Sequence, residues 1–336
     1  VASVRAWTDI SNRWASSAID SIASRLSWLD RHKDTTQTSH QGIKIHFEDE
    51  IIDTVMSITP RSKASIVAEF GGTNKDTALL QNTQGALVAS NNPITSDVSS
   101  IVINEAARFR EDLIGTLNPT FGTVIDDWSV WTSGELSIGK TDATTNASKQ
   151  ESNSKILSLG FDKKSNTNAN NLTGFVLSIG QDDVDIGTST TNVKSDNYSL
   201  LNYSVFNTKG AELASVFGIG QLDFDTTRTD GSDALTGTRK ANQLLFSSTI
   251  RPQNTINLGN WHLSHYTKVS LANTRLNSFS ESGAATALTF NKQQVRDTAL
   301  GVGFDINTLI KSKGNTIKPF AKIEYTRSSS KTSTSM

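Results

Sequence analysis

Nine segments of about ten residues follow one another from Trp128 onward, and in each of them apolar side chains alternate with polar or small ones. The clearest segment reads ALGVGFDI, at residues 299–306. Successive side chains of a β-strand point to opposite faces of the sheet, so this alternation predicts strands with one apolar face. Polar turns separate the segments. The sequence therefore predicts a mainly β fold of antiparallel strands connected up and down.

Two kinds of β fold alternate in this way, and three features favour the membrane kind. A soluble sandwich turns its apolar face inward, whereas a transmembrane barrel turns it toward lipid. Here the polar faces combine small residues with a few charges, as a lumen does. Trp128, Trp261 and Tyr325 lie near segment ends, where interfacial aromatics are found. The connections are of unequal length, and the longest reads DTTRTDGSDALTGTRK, at 225–240. We therefore expect a transmembrane barrel, with a soluble β-rich adhesion module as the alternative.

The barrel interpretation assigns a direction to each face, because the polar face lines the lumen. In the fourth segment it places Asn202 and Ser204 in the lumen. Leu201, Tyr203 and Val205, on the opposite face, are then expected to point to lipid.

Four charged side chains are also expected in the lumen: Glu135, Lys268, Lys322 and Glu324. Two acids and two bases make a charge-balanced lining for a hydrated pore, and we prefer this interpretation to catalysis. The fifth segment, ASVFGIGQLDFD at 214–225, has an ambiguous phase.

The composition excludes several classes of function. The formal net charge is −1, which gives no electrostatic reason to expect a nucleic-acid partner. The chain has no cysteine, which excludes disulfides, thiol catalysis and thiolate metal sites and suits a chain that crosses an oxidising compartment. No run approaches the roughly 18 apolar residues of a membrane-spanning helix.

The stretch GELSIGKT, at 134–141, fits the phosphate-binding pattern G-x-x-x-x-G-K-[ST] at every position. That loop works only between an apolar strand and a helix, whose N-terminus holds the phosphates. Here the stretch continues an alternation that begins at Trp128, and the turn-forming DATTNAS follows Thr141. We interpret it as a strand. Under the alternative, a nucleotide-binding protein, Lys140→Ala would abolish a nucleotide-dependent activity, whereas a strand predicts a mild effect.

Other candidate sites are weaker. His262 and His265 are three residues apart on a predicted strand, so they face opposite sides and cannot share a metal. DDVDIG (182–187) and DFDTTRTDGSD (223–233) resemble calcium loops in composition but lack the required spacing, and we expect solvated loop acids there. We assign no catalytic, cofactor-binding or metal-binding residues, and we expect neither a cofactor nor enzymatic activity.

An amphipathic helix is expected at residues 4–31. Its apolar stripe recurs at spacings of three and four and consists of Trp7, Ile10, Trp14, Ala18, Ile22, Leu26 and Leu29. Arg13, Asp20 and Arg25 fall off this stripe. The polar face is rich in Ser rather than Lys, so the helix is expected to pack on its own domain or a neighbour rather than on a membrane surface.

A second helix is expected at residues 101–117, and Asn118-Pro119 ends it. GIKIHF (42–47) alternates briefly, as a strand does. The residues at 57–100 are polar and mixed, and they support no assignment.

Three stretches resemble the bacterial autotransporters of type V secretion. NEAARFREDLIGTLNPTFG followed by DDWSVWTSGELSIGKTD resembles the junction at which a linker helix enters the first barrel strand. LSHYTKVSLANTRLNSFSESG, with Phe279, Glu281 and Gly283, and TIKPFAKIEY are similar to motifs of the later strands. The resemblance covers residues 101–336. It implies a twelve-stranded barrel in the bacterial outer membrane, with the linker helix in its lumen, that anchors a secreted N-terminal passenger and helps to move it outward.

The resemblance also implies partners and, together with the helix expected at 4–31, gives a domain order. The partners are the chain's own passenger, outer-membrane lipids and the barrel-assembly machinery, with the barrel as a monomer and no nucleic acid bound. The domains are an amphipathic helix region (1–34), a mixed polar region that ends the passenger (35–100), the linker helix (101–125) and the β-barrel (126–336). The N-terminal region is expected in the periplasm, in the lumen or at the cell surface.

One departure concerns the strand number. Single-chain bacterial barrels have an even number of strands, and an open edge in lipid is not viable. The nine strands, and a terminus SSSKTSTSM without an aromatic last residue, therefore predict a truncated barrel with about nine of twelve strands. A structure of this chain is expected to show a barrel with a gap.

Overall fold

The computed structural model describes most of the sheet and one helix. The described residues are 2–31, 40–49, 62–63, 67–71, 128–143, 148–166, 168, 171–187, 191–230, 233–308, 310–312, 315–317 and 320–334. Helix α1 spans Ala2–Arg31. Three strands come next, β1 (His40–Asp49), β2 (Ser62–Lys63) and β3 (Val67–Gly71). The expected helix and linker at 101–125 lie outside the described residues, and so does most of 50–100.

Nine long strands then follow, in agreement with the nine alternating segments. They are β4 (Ser129–Thr141), β5 (Gln150–Lys164), β6 (Leu172–Ile186), β7 (Thr191–Asn207), β8 (Ala211–Asp230), β9 (Asp233–Pro252), β11 (Trp261–Leu276), β14 (Gln293–Thr308) and β17 (Phe320–Thr334). Five short strands lie in the connections, β10 (Ile256–Leu258), β12 (Phe279–Ser280), β13 (Thr289–Phe290), β15 (Ile310–Ser312) and β16 (Asn315–Ile317).

The long strands form one antiparallel sheet in sequence order, from β4 to β17. Ser158 pairs with Ser178, for example, and Val302 with Tyr325. This up-and-down order confirms the predicted topology. The sheet curls around α1, and within the described strands β4 and β17 do not pair with each other. The expected open, incomplete barrel is therefore confirmed.

Segments upstream of the barrel pair with both edges of this sheet, along most of β4 and at two residues of β17. β1 runs parallel to β4, from His40 opposite Trp131 to Asp49 opposite Lys140. β3 pairs with β1, and β2 pairs with β17 at Lys63 opposite Thr326. Unpaired edge groups are costly in lipid, so β1 satisfies the backbone of β4 that no other long strand reaches.

The convex face of the sheet exposes a continuous belt of large apolar side chains, here called the apolar band. These side chains are 39–64% exposed, and on β6, β7, β8 and β9 most of their neighbours in the strand are buried. The apolar band consists of Phe175, Leu177, Ile179, Tyr198, Leu200, Phe217, Ile219, Leu244, Phe246, Ile250, Val269, Leu271, Leu300, Val302, Phe304, Ile323 and Tyr325. Contiguous apolar patches beyond a few hundred Å² are rare on proteins that face water.

Beyond the apolar band the strands continue, and the apolar face changes side. This part, the hairpin end, carries the connections 142–149, 187–190, 231–232 and 277–292. On β8, Phe217 and Ile219 point outward in the band, whereas Leu222 and Phe224 are buried on the concave side farther along. This reversal is the reason why the fifth segment showed no single phase.

The expected long connection at 225–240 is wrong. β8 continues to Asp230 and β9 begins at Asp233, so only two residues join them. Thr226 and Leu235 are buried on the concave side, and threonines suit a pleated strand. The polar stretch therefore lengthens a hairpin instead of forming a loop.

The expected direction of the fourth segment is also wrong. Leu201, Tyr203 and Val205 are buried on the concave side, where they join a cluster with Ala18 and Ile22 of α1. Asn202 and Ser204 alternate with them and lie on the convex side. The rule failed here because a concave face that holds a helix needs apolar packing as well as polar lining.

Candidate functional site: the helix in the concave face

Helix α1 lies along the concave face and touches every long strand from β4 to β14. The expected stripe is buried there, with Trp7, Ile10, Trp14, Ala18 and Ile22 at most 1% exposed. No helix in the described part of the chain is long and apolar enough to span a membrane. Because the sheet wraps α1, several side chains outside the stripe are buried as well, and their polar groups need partners on the strands.

Arg13 makes the first polar contact between α1 and the sheet. Its Nε donates to Oδ1 of Asp182 on β6 at 3.0 Å, and its Nη2 lies 2.9 Å from the same oxygen as part of the ion pair. Asp182 is 3% exposed and also accepts from Asn197 at 2.6 Å and from Ser154. The expectation that the acids of 182–187 are solvated loop acids is thus wrong for Asp182, because this position of β6 points to the concave side.

The middle of α1 meets charged residues on both sides of the sheet. Ser17 Oγ donates to Oε1 of Glu135 on β4 at 2.8 Å. Opposite, Lys268 Nζ on β11 lies 3.2 Å from Asp20 Oδ1 and 2.6 Å from Glu324 Oε1 on β17. Lys322 Nζ lies 3.7 Å from Glu324 Oε2. The four charges expected in the lumen are therefore on the concave side, and three of them form one network with the helix.

The most buried polar contact lies near the C-terminal end of α1. Arg25 is 0% exposed, and its Nε and Nη2 donate to the two carboxylate oxygens of Asp162 on β5 at 2.7 and 2.9 Å. Tyr203 Oη donates to the same carboxylate at 2.7 Å, and Trp131 Nε1 donates to Tyr203 Oη at 3.0 Å. The Trp131 ring covers Gly160, where any side chain would collide with it. Removing one partner of a buried ion pair costs about 3–5 kcal/mol.

An aromatic cluster closes the hairpin end around the start of α1. The Trp7 ring meets Phe279 and Phe290 edge-on, at centroid distances of 5.4 and 5.1 Å. Phe279 and Phe290 stack on each other at 4.9 Å. The buried guanidinium of Arg239 lies 4.7 Å from the Trp7 ring and donates to Gln293 Oε1 at 2.6 Å. The connection 277–292 is thereby folded inward over the helix.

A salt bridge fixes the same connection to β8. Arg228 Nη2 lies 2.7 Å from Glu281 Oε2, and the Leu288 N–H donates to that oxygen at 3.0 Å. Burial by itself raises the pKa of Glu281, but the hydrogen bonds from Arg228 and Leu288 outweigh it and hold the pKa below its ordinary value. Gly283 follows with a φ of +121°, which strongly favours glycine.

Sequence reasoning found one side of these contacts and missed the pairing. The helical spacing leaves Arg13, Asp20 and Arg25 off the apolar stripe, and all three contact strands. Asp162 lies on the same, concave face of β5 as Ser158. Nothing local to either residue could connect Asp162 with Arg25, because 137 residues separate them.

The phosphate-binding interpretation of GELSIGKT is not supported. Its residues are the second half of β4, paired with β5 from Gly134 opposite Leu157 to Thr141 opposite Gln150. Their backbone N–H and C=O groups therefore pair within the sheet and do not form a phosphate-binding loop. Across the described residues there is also no group of three or more acids and histidines placed to hold a metal. His262 is exposed and contacts Asn257.

The arrangement as a whole holds a chain segment inside a curled sheet. Its contacts are ion pairs and hydrogen bonds distributed along the helix, between apolar clusters at the two ends. Such an interior holds a polypeptide in place, while the apolar band faces away from it.

A family model and two solved structures are similar to this chain. The family model described as the autotransporter β-domain matches residues 130–336. Among solved structures, the chain is similar to the translocator domain of the autotransporter NalP from Neisseria meningitidis, with 12% identity, a TM-score of 0.43, and coverage of 71% of this chain and 98% of that one. It is also similar to the β-domain of the Bordetella autotransporter BrkA, with 15% identity, a TM-score of 0.45, and coverage of 60% and 78%. No curated protein matches.

Proposed function

Since the chain belongs to the autotransporter family through its β-domain, we propose that α1 and the curled sheet act together as the channel end of a secretion system. The β-domain is an outer-membrane β-barrel translocator of Gram-negative bacteria, with its passenger linked on the same polypeptide. We infer further that α1 is the segment of this chain that fills the channel once the passenger has passed.

The observation that carries this function is the reversed exterior of the sheet. In the apolar band, Leu177 is 50% exposed while its neighbour Ser178 is 0% exposed. Exposed leucine beside buried serine is unfavourable in water, but it is the arrangement that a barrel in lipid requires. A soluble adhesion module predicts the opposite arrangement and is therefore not favoured.

The role of α1 is supported by its contacts with both halves of the sheet. Arg13, Asp20 and Arg25 contact strands β6, β11 and β5, so no single strand holds the helix. A helix that merely rested on one surface would not need buried partners on all sides. The domain order beyond α1, with a linker at 101–125 and a passenger end at 35–100, remains a proposal from the resemblance.

We also propose that the chain anchors and transports without catalysis. The buried charges of Arg25 and Lys268 are engaged in ion pairs that join the helix to the sheet or strands to each other, which is a structural use. Outer-membrane lipids on the apolar band and the barrel-assembly machinery at the strand edges are the remaining partners in this proposal, with a monomeric barrel.

Expression of the intact gene product that contains this chain in a Gram-negative host tests the function. Outer membranes are dissolved in mild detergent and run on a gel with and without boiling. A folded barrel is expected to resist the detergent and to change its migration after boiling. A soluble protein without a shift would contradict the proposal.

Trypsin cleavage tests the place of α1. Arg13 and Arg25 are buried in the sheet, whereas the side chain of Arg5 is 43% exposed. In outer membranes opened by detergent, trypsin is expected to cut after Arg5 much faster than after the other two. Arg25→Met leaves Asp162 without its partner and should speed cleavage after Arg13, while the control Arg5→Met should not. Equal cleavage after all three arginines in the wild-type chain would contradict the proposal that α1 fills the channel.

A further inference from the structure

Four cations lie together on the convex face at the hairpin end, directly beyond the apolar band. This basic surface consists of Arg275 on β11, Arg296 on β14, and Arg327 and Lys331 on β17, all of them exposed. We propose that it binds the phosphate groups of a glycolipid in the outer leaflet. The inference rests on the proposed function, because it needs the apolar band to lie in the outer membrane.

The strand parity places these side chains outward and next to the membrane. Leu271, Leu300 and Tyr325 are the last apolar residues of the band on their strands. Arg275 and Arg296 follow four residues farther toward the hairpin end, on the same face, and Arg327 follows two residues beyond Tyr325. Their charges are therefore at the height where lipid headgroups meet the end of the acyl chains.

The pairing register brings like charges together. Arg296 stands directly opposite Lys331, and Asn273 on the other side of Arg296 cannot balance the charge. Directly opposed side chains have Cβ atoms about 4.5–5.5 Å apart, and like charges at that spacing destabilise a sheet. Arg275 lies diagonally across from Arg296, because its own partner is Gln294. An anion between these side chains would turn mutual repulsion into attraction.

No carboxylate of the described strands shares this surface. The outward positions beyond the band on β11, β14 and β17 hold only the four cations and neutral residues, which are Asn273, Gln294, Thr298, Ser329 and Ser333. Among the described residues, the guanidinium of Arg296 donates to the amide oxygen of Gln294 at 3.3 Å, which leaves its charge without a carboxylate partner there.

The opposite side of the hairpin end has the reverse character and provides a comparison. Asp183, Asp196 and Asp223 occupy the matching outward positions on β6, β7 and β8. The two lysines there have acidic neighbours, since Lys194 Nζ lies 3.6 Å from Asp183 and Lys240 Nζ lies 4.0 Å from Asp223. These two lysines are neutralised by the protein, whereas the cations of the basic surface are left for a ligand.

The chemistry and the position select the ligand. Arginines bind phosphate through paired N–H groups, and clustered basic residues at a membrane surface recognise anionic headgroups. At the hairpin end, strands β8 and β9 extend well beyond the apolar band, and the 16-residue connection 277–292 joins β11 to β14. Long extensions and long connections are typical of the extracellular side of such barrels. The leaflet on that side is the one that carries phosphorylated glycolipid, so this class of lipid is the occupant that we assign.

Native mass spectrometry with defined lipids tests the assignment. The folded wild-type chain in detergent is titrated with bis-phosphorylated lipid A, with the same lipid lacking both phosphates, and with phosphatidylglycerol. Arg296→Gln/Lys331→Gln is compared with Lys194→Gln/Lys240→Gln, which removes the same charge from the other side. Since a basic residue near a membrane surface contributes about 1 kcal/mol, the first variant should bind bis-phosphorylated lipid A about thirtyfold more weakly.

The control variant and the dephosphorylated lipid determine the outcome. The control should bind bis-phosphorylated lipid A as the wild-type chain does, and the lipid without phosphates should bind weakly to all three proteins. An equal loss in the control variant, or equal binding of the lipid without phosphates or of phosphatidylglycerol, would overturn the assignment. Only samples with a boiling-dependent gel shift are titrated, so a failure of the proposed function would show first and separately.

Discussion

The two halves of strand β8 follow opposite rules although they belong to the same sheet. From Leu213 to Ile219 the outward side chains other than Ser215 are apolar and exposed, as in the rest of the apolar band. From Gln221 to Asp225 the outward side chains are polar, and Leu222 and Phe224 are buried around the start of α1. The inside is packed against the helix in both halves, so the difference lies in the surroundings of the outer surface. The change from apolar to polar outward side chains between Ile219 and Gln221 therefore marks the lipid–water boundary on β8.

Two phenylalanine-to-alanine substitutions on β8 should give the largest difference between an inward and an outward position. Phe224 is 1% exposed and packed inside, whereas Phe217 is 53% exposed on the outside. Phe224→Ala should cost about 3–5 kcal/mol of unfolding free energy, because it leaves a cavity that nothing fills. Phe217→Ala should cost about 1.5–3 kcal/mol, since lipid fills the space and only the transfer from water is lost. Urea unfolding in phospholipid vesicles, followed by tryptophan fluorescence, measures both. A Phe217→Ala cost near zero would indicate that this residue faces water.

A lysine introduced on the outer face of β6 should cost more unfolding free energy inside the apolar band than beyond it. Leu177→Lys puts an ammonium in the apolar band and should cost about 2–4 kcal/mol. Gln181→Lys, four residues along on the same face, should cost about 0–1 kcal/mol, because Gln181 lies beyond the band at the hairpin end. The same urea titration measures the two variants. Equal losses of unfolding free energy would show that both positions face the same medium, and would contradict a lipid–water boundary between Leu177 and Gln181.

Acid should loosen the hairpin end while the band stays intact. The pKa of Glu281 is held below its ordinary value, so its contribution to stability is complete above about pH 4.3 and is lost as the pH falls through the lowered pKa. Hydrogen exchange of residues 277–292, corrected for the intrinsic rate, should therefore rise at low pH while strands β6 and β9 stay protected. In Glu281→Gln the exchange of this connection should be faster at neutral pH and no longer depend on pH. Persistent pH dependence in that variant would assign the effect to another acid.

Local periodicity was enough to predict the strands, and it failed where the surroundings change. The nine strands, their order, and the concave placement of Glu135, Lys268, Lys322 and Glu324 follow from a period of two residues in one medium. The phase of β8 could not be read, because the pattern reverses at a membrane boundary that no single residue marks. The contacts of α1 with Asp162 and Asp182 join residues 137 and 169 positions apart, and no local pattern encodes such pairs. The inward direction of Leu201 and Tyr203 depended on the same helix.

A cysteine scan along β8 tests the central claim most directly, because the chain contains no cysteine of its own. Single cysteines from residue 213 to residue 225 are spin-labelled in outer-membrane vesicles, and relaxation by oxygen is compared with relaxation by a water-soluble nickel complex. The odd-numbered positions up to 219 should respond to oxygen, those from 221 should respond to nickel, and the even-numbered positions should respond weakly to both. If the positions up to 219 respond to nickel as those from 221 do, the apolar band faces water and the chain is not a membrane barrel.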